Sequence, residues 1–68
     1  MHVTIEVEVK RISEKAWLIK ATDVNNKPTE TWIPKSQIIE TDCLAEGDKG
    51  YMVISDWIAK QKKFVKED

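Results

Sequence analysis

The chain has 68 residues, a single cysteine, and two glycines and two prolines. That is one small domain, with no disulfide framework and no multi-cysteine zinc site. Eleven Lys and Arg against twelve Asp and Glu give a net charge of −1, which excludes a generally basic coat for nucleic acid. At 41% hydrophobic and 34% charged, the composition is that of a folded domain. Its apolar runs fall far short of the ~18 residues of a membrane span. No basic stretch leads into an apolar segment at the N-terminus, so no signal peptide is read there. A lone cysteine fits a reducing, cytoplasmic setting.

The first element is a strand near 3–10. Val3, Ile5, Val7 and Val9 alternate with Thr4, Glu6 and Glu8, the period of a half-buried strand with β-branched residues inward. The parity jumps between Val9 and Ile12, which predicts a bulge near Lys10 and Arg11. His2, ahead of this strand, is read as part of a mobile terminus. A short polar break follows, and residues 16–22 form a second strand, paired antiparallel by the short connection. Residues 23–29 contain Asn25, Asn26 and Pro28 and read as the main exposed loop. A third strand covers 30–33 and stops at Pro34. Pro34 opens one 3₁₀ turn, because proline fixes φ and suits the first position of a turn.

A fourth short strand spans 38–41. Residues 42–50 form an acidic loop, where Gly47 and Gly50 suggest a tight turn. The compact apolar run 51–54 is a fifth strand. Ser55 then caps a helix near 56–65, with Asp56 in its first turn. Trp57, Ile58, Phe64 and Val65 fall on one helical face and Lys60, Lys62, Lys63 and Lys66 on the other. Five short antiparallel strands, a 3₁₀ turn and a terminal helix predict a mainly β fold. The expected form is a small SH3-like or OB-like barrel, since closure removes sheet edges.

At Trp32-Ile33-Pro34-Lys35-Ser36-Gln37-Ile38 the chain resembles a group of small, uncharacterised proteins from phages, prophages and other mobile bacterial DNA. The matching pieces are Ala16–Lys20, Trp32–Ile38, Gly47–Gly50 and Trp57–Lys60, and they cover most of 16–64. The resemblance implies a mobile-DNA context rather than a mechanism. Ile33-Pro34-Lys35-Ser36 is also similar to the end of SH3 domains, where a 3₁₀ turn joins two strands. The acidic and aromatic peptide-binding residues of those domains are missing here.

No catalytic constellation emerges. His2 has no nucleophile or partner base near it in sequence. Cys43 lies among acids that raise a thiol pKa, which marks it as buried and inert. Asp42, Glu46 and Asp48 do not follow a calcium-loop spacing. The acid-ringed glycines do not form a phosphate loop. These features predict a protein without enzymatic activity and without a cofactor or metal.

Two classes of function remain. The first is single-stranded nucleic-acid binding, with Trp32 or Trp17 as stacking platforms and Lys20, Lys35, Lys60, Lys62 and Lys63 as phosphate contacts. The second is a protein-binding accessory module, for example a phage regulator or inhibitor that docks on a host or phage enzyme, which the near-zero net charge, the acidic 40–48 loop and the lack of a continuous basic stripe suggest. In either case the chain is a monomer or a homodimer. The bland alternative is that all three tryptophans fill the core, as large aromatics in small domains commonly do. Trp32 is the best candidate for exposure, because Ile33 beside it on a strand points the opposite way.

Overall fold

A computed structural model describes residues 2–65. It contains β1 (His2–Ile12), β2 (Ala16–Thr22), β3 (Pro28–Pro34), a 3₁₀ turn (Lys35–Gln37), β4 (Ile38–Thr41), β5 (Lys49–Ser55) and α1 (Asp56–Gln61). The strands make one antiparallel sheet in the order β3-β2-β1-β5-β4. The sheet is not closed, so β3 and β4 are edges. His2 is not part of a loose end: it pairs with Ser55 and opens the central strand.

β1 runs through the middle and pairs with both β2 and β5. Its register against β2 passes from Val9↔Ile19 directly to Arg11↔Leu18, so Lys10 is the extra residue of a bulge. Val9 and Ile12 therefore both point inward, although three residues separate them. β4 carries a second irregularity, with Ile39 extra between Ile38↔Ile54 and Glu40↔Val53.

The inward face holds Val7, Val9, Ile19, Ala21, Ile33, Met52 and Ile54, all buried. Ile58 and Ala59 of α1, with Phe64 beyond it and Cys43 from the loop, complete the core. β3 is longer than the sequence suggests and carries proline at both ends. An edge strand accommodates this because proline there removes no hydrogen bond to a neighbour on the far side. The β2–β3 turn is tied by Asp23, whose Oδ1 accepts from the amides of Asn25 (2.9 Å) and Lys27 (3.0 Å). Asn26 takes the left-handed conformation at φ 63°, which asparagine tolerates.

The helix is shorter than its apolar spacing predicts. It covers 56–61 rather than 56–65. Ser55 caps it, its Oγ accepting from the Ile58 amide at 3.3 Å, and also donates to Gln37 Oε1 in the 3₁₀ turn. The far end closes as a Schellman motif. The Phe64 amide donates to Ala59 O (2.9 Å), the Lys63 amide to Lys60 O (3.2 Å), and Lys63 sits at φ 61°. Phe64 then turns into the core against buried Ala59. The Lys63 carbonyl accepts from the Val24 amide at 2.8 Å, joining this end to the β2–β3 turn. Lys66, expected on the polar helix face, lies outside the described residues.

Lysine at a left-handed position carries strain that glycine does not. Lys63→Gly is expected to raise stability by about 0.5–1 kcal/mol in urea unfolding. Phe64→Ala is expected to lower it by ~3–5 kcal/mol. A destabilised Lys63→Gly would mean that the helix does not stop as described.

Candidate functional site

β1, β2 and β3 share a register that sorts the candidate residues between two faces. Ile12↔Trp17↔Ile33 is an inward row. Arg11↔Leu18↔Trp32 is the outward row directly beside it. Trp17 is thus packed against the core, and its indole N–H is buried without a hydrogen-bond partner. Trp32 stands on the outward face at 44% exposure, flanked by Leu18 and, one diagonal step away, by Lys20.

Basic groups gather round the Trp32 end of this face. The Lys35 amide donates to Lys15 O at 2.8 Å, which draws together two lysines twenty positions apart. Both are exposed, as are Arg11 and Lys20. Lys35, placed beside Trp32 by sequence, is held there by the extended Pro34 (φ −57°, ψ 134°) that leads into the 3₁₀ turn. The contact between Lys35 and Lys15 has no local sequence signal, since it depends on how the β1–β2 and β2–β3 connections meet.

The helix lysines do not join this patch as one basic surface. Lys60 forms an i,i+4 ion pair with Asp56 at 3.3 Å. Lys62 is the half-buried C-cap and Lys63 the left-handed residue after it. Trp57, expected on the inward helix face, is instead 58% exposed. A six-residue helix buries only the narrow stripe of Ile58 and Ala59, and position 57 falls outside it.

The acidic segment has another role than the one its charge suggests. Its carboxylates accept from protein donors. Asp42 Oδ1 takes the Tyr51 amide (3.0 Å), and Asp48 Oδ2 takes the amides of Leu44 (2.8 Å) and Ala45 (3.0 Å). Glu46 Oε2 takes the Ile12 amide (2.9 Å), just past the bulge of β1. Glu40 Oε2 takes the Tyr51 hydroxyl (2.9 Å). Two glycines make room for this. Gly47 adopts φ 93° in the turn closed by Asp48 N to Ala45 O. Gly50 lies against Asp42, where an added Cβ would collide with Oδ1. Among the described residues no group of three or more His, Cys, Asp or Glu is placed to hold a metal ion.

Across the outward face a shallow groove of about 540 Å³ runs beside Glu6, Glu8, Lys20, Lys49 and Tyr51. Glu8 is held below the usual carboxylate range, chiefly by its hydrogen bond from Lys10 (3.2 Å), with further help from the Lys49 and Lys20 charges. The Tyr51 phenol is pushed above its ordinary value by the hydrogen bond to Glu40 and that group's charge. Burial pushes the Cys43 thiol up, and Asp42 reinforces this.

Among the described residues no helix is long and apolar enough to cross a membrane. The chain matches no protein-family model, no curated protein and no solved structure.

Tyr51 is the chain's one tyrosine and Cys43 its one cysteine, so the signal of each can be followed without overlap from another of its kind. The tyrosinate absorbance should rise at higher pH than for free tyrosine, and Glu40→Gln should bring that rise back down. A raised folded-state pKa adds stability that is complete below the ordinary phenol value and is lost as pH climbs through the folded one. Native Cys43 should react with a thiol reagent far more slowly than the unfolded chain. Equal rates would mean that Cys43 is not buried.

Proposed function

We propose that the chain is a non-enzymatic binding module that takes single-stranded nucleic acid on the outward face of β1, β2 and β3. The observation that carries this reading is the register that leaves Trp32 exposed with Arg11 and Leu18 in its row and Lys20 on its diagonal. Base stacking on an exposed aromatic contributes about 1–3 kcal/mol per base and tolerates any sequence. The backbone hydrogen bond from Lys35 to Lys15, which brings a second lysine to the segment that follows Trp32, supports a phosphate-contacting role for this pair. In this reading the sheet works as a small SH3-like or OB-like barrel. The 3₁₀ turn, which connects its two edge strands, supports that. The Trp32–Ile38 motif supports an origin in phage or other mobile bacterial DNA, and the single cysteine supports a reducing, cytoplasmic setting.

One observation favours a protein partner instead. In the outward row Lys49, Glu8, Lys20, Glu30, across β5, β1, β2 and β3, charges alternate in sign, a pattern suited to a surface of mixed charge rather than to a polyanion. Exposed Trp and Arg are also the residue types that anchor protein interfaces.

The two readings separate in one titration. A labelled oligonucleotide of about one site's length should bind in low salt by fluorescence anisotropy and weaken steeply as salt rises. Trp32→Ala should cost about 1–3 kcal/mol of that affinity. Lys62→Ala should leave it nearly unchanged. No binding at low salt would exclude nucleic acid and leave the protein reading.

A further inference from the structure

The outward face carries a row of four charges at one level of the sheet. Glu8 on β1 is paired in register with Lys49 on β5 and with Lys20 on β2, and Lys20 is paired with Glu30 on β3. Read from β5 to β3, the row is plus, minus, plus, minus. Neighbouring strands stand about 4.8 Å apart, so the charges are regularly spaced. Such a row is the complement of its own reverse.

We propose that this face docks against the same face of a second copy of the chain, about a two-fold axis running along the strands between β1 and β2. That operation sets Lys49 opposite Glu30 of the second copy and Glu8 opposite Lys20 of the second copy, each twice. Symmetry then makes the interface isologous, with every favourable pair repeated. The other face-to-face two-fold, with its axis across the strands, sets every charge against its like. The sign pattern therefore selects one arrangement.

The adjoining rows agree with it. Below the charges, Glu6 meets Thr22 of the second copy, an acceptor against a hydroxyl, and Tyr51 meets Pro28 of the second copy. Above them, the Arg11 stem meets Leu18 of the second copy. None of these sets like charges together. The groove beside Glu8, Lys20 and Lys49 gives the long facing side chains volume to occupy. Lys10 already holds Glu8 at 3.2 Å, so Glu8 bridges a lysine of its own chain and one of the other. Exposed ion pairs are individually weak, which makes the dimer a weak and salt-sensitive one. This inference does not rest on the nucleic-acid reading; a strand bound at Trp32 would compete for the same face.

The test uses two charge reversals and no added ligand. Glu8→Lys and Lys20→Glu each set like charges opposite one another in their own homodimers. In a mixture, the heterodimer sets Lys at 8 against Glu at 20, and the unaltered Lys20 against the unaltered Glu8. Sedimentation velocity at low salt and protein up to ~1 mM should show a dimer for the wild type, lost at high salt. It should show monomers for each variant alone, and a dimer again for the equimolar mixture, at least about tenfold tighter than either part. Glu30→Lys and Lys49→Glu make the same exchange at the outer pair, should a first variant fail to fold. The proposal is overturned by a monomeric wild type, by variants as dimeric as the wild type, or by a mixture no more associated than its parts.

Discussion

One extra residue in β1 decides which side chains this protein hides and which it shows. With Lys10 set aside as a bulge, Val9 pairs with Ile19 and Ile12 with Trp17 on the inward face. Arg11 is then free to join Leu18 and Trp32 on the outward one. Without the bulge, the pairing beyond Val9 would slip by one residue and Arg11 and Ile12 would exchange faces. Ile12 would meet water, and Arg11 would be driven into the core at a large cost in desolvation. The bulge is pinned from outside by Glu46, whose carboxylate accepts the Ile12 amide. It is bracketed by Val9, whose carbonyl accepts from Gly47 and whose amide donates to Asp48.

That pinning gives the acidic segment a structural role of its own. Asp48 satisfies the loop amides of Leu44 and Ala45, while Asp42 and Glu46 tie the segment to the strands through the amides of Tyr51 in β5 and Ile12 in β1. A second exposed charged surface lies in the outward rows of β1, β2 and β3. There a lysine or arginine neighbours each acid, and Trp32 is the large aromatic exposed among them.

Much of this was legible in the residues alone, because it follows from local periodicity. The alternation in 3–9, the parity break before Ile12, the cap at Ser55 and the left-handed tolerance of the Asn pair all depend on near neighbours. The opposite orientations of Trp32 and Ile33 also follow from one strand. What was not legible depends on pairing between distant segments. Whether Trp17 shares a face with Trp32 is set by the β2–β3 register, and the meeting of Lys15 with Lys35 by two connections at once. The helix end was hidden for another reason. The Schellman position is filled by Lys63, where a glycine would have announced the stop, and Phe64 continues the apolar spacing while leaving the helix. Trp57 then reads as part of a stripe that the short helix does not bury.

The three tryptophans give the account its most direct measurement. Each indole N–H gives one proton–nitrogen correlation in an NMR spectrum, and the three report from three surfaces: the inward face, the outward face and the helix. On titration with a short single-stranded oligonucleotide, the Trp32 indole and the amides of Arg11, Leu18 and Lys20 should shift together. The Trp17 and Trp57 indoles should stay where they are. Movement of Trp57 or Trp17 with Trp32 unmoved would contradict the assignment of the binding surface to the outward face.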